Sequence, residues 1–185
     1  ESVRGVAVNA SATRHIQNFG GNASVAGFAG VGGITNASVL TGSTEAFVKG
    51  ASINELTDGG PADAAQSVHI NAGDHALAHG LVLSGAAGIA GVGAAVNTTV
   101  FAQTTRAFID STGSVSARAA VRVRADSTQH AATAVAGASV GKVGVAGAVN
   151  VGVFTGVTEA FVRNSAVESR ELSIEGLHAS RLFVA

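Results

Sequence analysis

The chain repeats itself, and that self-similarity restricts the choice of fold more than any other signal in its 185 residues. Residues 29–48 (AGVGGITNASVLTGSTEAFV) align without gaps to residues 90–109 (AGVGAAVNTTVFAQTTRAFI) at an offset of 61, and these to residues 143–162 (VGVAGAVNVGVFTGVTEAFV) at an offset of 53. Seven of the twenty columns are identical in all three copies: Gly30/Gly91/Gly144, Val31/Val92/Val145, Asn36/Asn97/Asn150, Val39/Val100/Val153, Thr44/Thr105/Thr158, Ala46/Ala107/Ala160 and Phe47/Phe108/Phe161. A weaker repeat travels with them, in the segments VHIN at 68–71, VRVR at 121–124 and LSIE at 172–175, with VAVN at 6–9 as a fourth member. These signals divide the chain into units at 1–67, 68–120 and 121–171, with a partial fourth at 172–185. The longer first spacing places an inserted loop at 54–63, which holds the only proline, Pro61.

Inside the blocks the apolar period is two. In the third copy Val143, Val145, Val149, Val151, Val153 and Val157 alternate with Gly144, Ala146, Ala148, Asn150, Gly152 and Gly156. That is strand periodicity: β-branched residues on one face, small residues on the other, where a second backbone layer can approach closely. Strands of twenty residues exceed the usual length, so Gly147 and Gly152 are expected to mark bends. Helix signals are poor, because 25 glycines interrupt the chain and no segment sustains a 3.6 period. The expected class is therefore all-β. Since 37 Ala, 26 Val and 25 Gly give each unit little to bury alone, stacking of units is the economical solution. The predicted fold is a β-solenoid, β-helix-like, of about three repeats of 53–61 residues.

Stacking also accounts for the identical columns, because equivalent positions lie about 4.8 Å apart in neighbouring rungs and like side chains form ladders. Asn36/Asn97/Asn150 reads as an amide ladder, each carboxamide donating to the next. Glycosylation is the competing reading, since Asn9, Asn22, Asn36 and Asn97 begin sequons, but Asn150 keeps the column while Val151 and Gly152 abolish the sequon. Phe47/Phe108/Phe161 reads as an aromatic stack closing the core, and Thr44/Thr105/Thr158 as a third ladder. The column Glu45, Arg106, Glu159 alternates in charge if units stack directly, and fails to pair if each unit winds through two coils.

Groups able to do chemistry are sparse. Asp74, His75 and His79 form the best cluster, and on a helix His75 and His79 would share a face as weak metal candidates; a solvated turn is the competing reading, and no third ligand has matching spacing. Residues 137–142 (GASVGK) lack the spacing and the hydroxyl of a phosphate loop. Asp58 and Asp63 around Gly59-Gly60 fit neither calcium-loop pattern. Arg118, Arg122 and Arg124 read as a solvated face that discourages edge pairing. No paired carboxylates, nucleophile elbow or Ser/His/Asp order is visible, so neither an enzyme nor a cofactor is expected. A net charge of −1 supplies no field for nucleic acid. The uncharged run 80–105 is broken by Asn97, Thr98, Thr99, Gln103 and five glycines, which argues against a membrane span.

With GVGAAVN at 91–97, GVAGAVNV at 144–151 and TEAFV at 44–48 and 158–162 laid out, the chain resembles the repeat region of very large bacterial surface adhesins. It is similar to the filamentous-haemagglutinin-like and leukotoxin-type filamentous adhesins exported by autotransporter or two-partner routes. That resemblance covers nearly the whole chain and rests on repeat style. It implies a β-solenoid passenger on the bacterial cell surface and no catalytic residues to carry over. The absence of cysteine fits a passenger that crosses a periplasm unfolded, and the absence of an initiator Met or signal pattern at Glu1 fits an internal fragment.

The expected function is thus structural and adhesive: a rigid stalk segment of a secreted fibre that displays loops to a host or neighbouring-cell receptor or glycan. Asn54, Glu55, Asp58, Pro61 and Asp63 form the expected contact loop. Two other readings stand beside it: a filament subunit that stacks end to end on itself, and an ice- or surface-binding face built on the threonine column. A solenoid enzyme of the polysaccharide-lyase type lacks the clustered acids and bases it would need.

Overall fold

The computed structural model describes residues 5–54, 64–110 and 113–185. Among these, strands dominate and no helix occurs: β1 (Gly5–Val25), β2 (Ala29–Lys49), β3 (Ser67–Ala87), β4 (Ala90–Asp110), β5 (Ser114–Ser116), β6 (Ala120–Val140), β7 (Val143–Arg163), β8 (Ala166–Glu168) and β9 (Glu171–Val184). There is accordingly no helix long and apolar enough to cross a membrane among the described residues.

Pairing is parallel throughout. One sheet has the order β1-β3-β6-β9, a second β2-β4-β7, and a short third pairs β5 with β8. Ala29 lies beside Ala90, and Ala90 beside Val143, so the three long blocks stack directly with one turn of chain per repeat. The sheets are open and run in register, consistent with a β-solenoid. Divisions read from sequence at 68, 121 and 172 fall one residue inside the strand starts Ser67, Ala120 and Glu171.

Strand length departs from expectation. Six strands run 21 residues without interruption, and β7 passes straight through Gly147 and Gly152. Neither glycine is a corner: open space surrounds the missing side chain of Gly147, and at Gly152 it makes room for Leu182 of β9. The corners lie at residues 26–28, 88–89 and 141–142, where the chain leaves one sheet and enters the other. They stack as well, through Gly88 N to Val140 O at 3.0 Å and Val143 N to Ile89 O at 3.1 Å. A side chain at Gly88 or Gly141 would collide with the backbone of the adjoining corner, which explains the glycines.

At the other end each long strand closes with a turn. Gly50 (φ 64°) and Asn164 (φ 54°) directly follow β2 and β7 at equivalent positions, and both residue types tolerate the left-handed region. The chain then crosses a narrow third side, where Ile53 bridges to Val115 and Val115 pairs with Val167. Ile53 is thus already in register, so the extra residues of the first unit fall between it and Ser67.

The two large sheets face each other, and the space between them is banded along the strands. Val68, Ile70, Val121 and Val123 of one sheet meet Ala46, Ala107 and Ile109 of the other, with Val115 closing the end. Each fully buried Val or Ile contributes about 1.5–3 kcal/mol through surface removed from water. A second apolar band holds Ala76, Ala78, Phe101 and Ala131. Polar bands separate and follow these two. At the corner end the layers touch almost backbone to backbone, because Gly30, Gly32 and Gly93 sit directly against the carbonyls of Ala87, Gly85 and Ala138.

Candidate functional site

The repeated columns lie on β2, β4 and β7, and alternation sends each to one side of that sheet. Asn36/Asn97/Asn150 points inward. Asn97 Nδ2 donates to Asn150 Oδ1 at 3.1 Å, and Asn150 Nδ2 donates across the layers to Thr133 Oγ1 at 2.5 Å. The link from Asn36 to Asn97 is absent: Asn18 of the facing sheet donates to Asn36 Oδ1 and Ser38 Oγ, leaving Asn36 Nδ2 and Asn97 Oδ1 without partners. The amide ladder is therefore interrupted by a cross-layer bond. Asn97 is 1% exposed, which closes that sequon to a glycan.

Thr44/Thr105/Thr158 also points inward and presents no threonine ladder to a surface. Thr44 Oγ1 donates to Asp74 Oδ2 at 2.8 Å, the same oxygen that pairs with Arg14. Thr158 Oγ1 lies 3.4 Å from His178 Nδ1, while Thr105 is fully buried with no partner for its hydroxyl.

The phenylalanine column stacks, but on the outer face and not in the core. Phe47–Phe108 and Phe108–Phe161 centroids are 5.1 and 4.9 Å apart with nearly parallel planes, and the Arg163 guanidinium caps the last ring at 5.4 Å. Parity explains the correction: Ala46 and Val48 flank Phe47 in sequence, and Ala46 takes the inward side. The rings that do fill the interior are Phe101 and Phe154, stacked at 5.0 Å.

Glu45, Arg106 and Glu159 lie in adjacent rungs on that outer face, as direct stacking requires. Arg106 Nε donates to Glu159 Oε2 at 3.0 Å, and Arg106 Nη1 lies 3.9 Å from Glu45 Oε1. These groups are roughly 40% exposed, so solvent holds each pair to about 0.2–1 kcal/mol. Four residues along, on the same face, Lys49, Asp110 and Arg163 alternate in the opposite sense. Arg163 Nη2 reaches Asp110 Oδ2 at 2.5 Å and Asn164 Nδ2 reaches Oδ1 at 3.0 Å; these two bonds, the arginine's first, hold the carboxyl below its ordinary range. This second charged column lies one residue beyond the aligned block, and extending the alignment would have found it.

The metal reading of Asp74, His75 and His79 fails on parity. In strand β3 Asp74 is buried between the layers while His75 and His79 face outward, about 13 Å apart along the strand. Each meets a histidine of a neighbouring rung instead, His79 with His15 and His75 with His130. Among the described residues no group of three or more His, Cys, Asp or Glu could hold a metal ion. Of the expected contact loop only Asn54 is described, with φ 58° and its Nδ2 bonded to Ser116 O at 2.8 Å; Glu55, Asp58, Pro61 and Asp63 lie outside the described residues. On the outer face of the other sheet Arg122 pairs with Glu171 and Arg124 with Asp126, both exposed.

Sequence reading missed the polar interior. Arg14 packs against Gly42, and a Cβ there would strike its guanidinium; Gln129 likewise packs against Gly156. Gln103 occupies the Gly42/Gly156 column in the middle rung, where its neighbour in the other sheet's column is Ala76, so large and small residues exchange layers from rung to rung. The chemical means of this surface are stacking, alternating charge and apolar contact. Comparison with known proteins found no family model, no curated protein and no solved structure that matches the chain.

Proposed function

We propose that the chain is a β-solenoid segment of about three repeats that serves as a structural and adhesive stalk of a secreted bacterial cell-surface fibre. One observation carries the reading: equivalent residues of successive repeats stand side by side in parallel register, so every added repeat extends the same two-layered cross-section. The resemblance of the repeats to those of filamentous adhesins supports the extracellular setting. In this reading the segment has no catalytic role, and its partner is a receptor or glycan on a host or neighbouring cell, met by the insertion at 54–63. Deletion of residues 54–61 tests it. Beads carrying the intact chain should adhere to cell monolayers or a glycan array, and the deletion should lose most of that adhesion while retaining its β-type circular dichroism. Adhesion unchanged by the deletion, or absent from the intact chain, would overturn the adhesive assignment.

The outer edges of β2 and β7 bound their sheet without a pairing strand among the described residues. That observation favours a second reading, end-to-end stacking into a filament through parallel pairing.

A further inference from the structure

The outer face of the β2-β4-β7 sheet carries exposed apolar residues where a solvent-facing sheet usually carries polar ones. Its inward columns mix Asn, Gln, Thr, Ser and Gly with apolar columns such as Leu40/Phe101/Phe154 and Val48/Ile109/Val162, whereas its outward columns from Ala29/Ala90/Val143 to Ser43/Thr104/Val157 contain only Val, Ala, Gly, Thr and Ser. Val31 is 71% exposed, Val39 61% and Val145 59%, and even the middle rung leaves Val92 43% exposed. Eight columns along the strands and three rungs across make an uncharged surface of about 53 Å by about 14 Å. Contiguous apolar patches of that size on a single chain mark interaction surfaces.

We infer that this face pairs with the same face of a second copy, sheet against sheet. Three features select that occupant. The area, about 740 Å² per copy and about 1,500 Å² in total, falls within the range of specific protein interfaces. The lattice of the face, about 4.8 Å between rungs and about 6.6 Å between outward residues, is matched column for column by another copy. Charge gives an ionic partner no purchase: Glu45, Arg106, Glu159, Lys49, Asp110 and Arg163 alternate in both directions at one margin and sum to zero, so they neither attract a polyanion nor repel a copy. The inference stands on this face and not on the adhesive reading.

Sedimentation velocity on the intact chain tests it. The unmodified protein should sediment as a concentration-dependent dimer, and Val96→Lys with Val100→Lys, both outward in the middle rung, should weaken association more than about tenfold. Thr128→Lys with Ala132→Lys on the opposite outer face should leave it intact, and circular dichroism and melting should show that all these chains are folded. If the valine pair melts early, Thr98→Lys on the same face carries the same comparison. A monomer at every concentration, or association that survives the charges on this face, would overturn the inference; the latter outcome would assign self-association to the strand edges.

Discussion

Replacing Phe101 by alanine is expected to cost about 3–5 kcal/mol in a denaturant titration, whereas the same change at Phe108 should cost only about 1 kcal/mol. Both residues belong to aromatic stacks in the same strand β4, but odd and even positions send them to opposite sides of the sheet. Phe101 is 0% exposed and fills the second apolar band with Phe154, so its removal opens a cavity among Ala76, Ala78 and Ala131, which are too small to collapse into it. Phe108 stacks between Phe47 and Phe161 on the outside, where water can take its place. A larger loss at Phe108 than at Phe101 would mean that the faces of the sheet have been exchanged, and equal losses would contradict the inward and outward assignment of the two rings.

Gly93→Val is the second change with a large expected effect, a loss of about 3 kcal/mol, at the upper end of what overpacking costs, because the clash is with backbone. The new Cβ would fall on the Ala138 carbonyl oxygen of the facing sheet, a backbone atom fixed by its own ladder. Gly147→Val is the control: the same substitution, also in a long strand, enters open space and adds a β-branched residue to a strand, so it should be neutral or mildly stabilising. Thermal melting of the two variants separates a glycine required by close layers from one that is merely tolerated.

Much of this architecture is legible in the chain itself. The gapless alignment of the three blocks already contains the register of β2, β4 and β7, because identical columns are the pairs that stack; the column Glu45, Arg106, Glu159 is compatible with one coil per repeat or two, and the structure decides for one by placing the three in adjacent rungs. The orientation of the sheet is harder to read. Hydrophobicity alone would bury Val31, Val92 and Val145 and expose Asn36 and Asn97, since apolar residues are on average the buried ones. What reverses the choice is the opposite layer: Asn18 reaches Asn36, Thr133 reaches Asn150, and Arg14 needs the empty space at Gly42. These partners sit in segments where the repeat is weakest, and no column of identical residues announces them. The bends assigned to Gly147 and Gly152 failed for a related reason. A glycine in a strand signals either a corner or a close neighbour, and only the packed structure tells which.

The central claim, one coil of chain per repeat with equivalent residues in adjacent rungs, has a direct test because the chain contains no cysteine. Thr98 and Val151 are paired neighbours on the outer face of β4 and β7. With both changed to cysteine, Cα atoms about 4.8 Å apart are within disulfide reach, and mild oxidation should link them within the monomer. Thr98 with Val153, displaced by one outward position to about 8 Å, should remain reduced under the same conditions. Efficient linkage of the first pair and not the second is the result this structure predicts. Failure of the 98–151 pair in a folded chain, as two coils per repeat would produce by holding the cysteines about 9.6 Å apart, would contradict it.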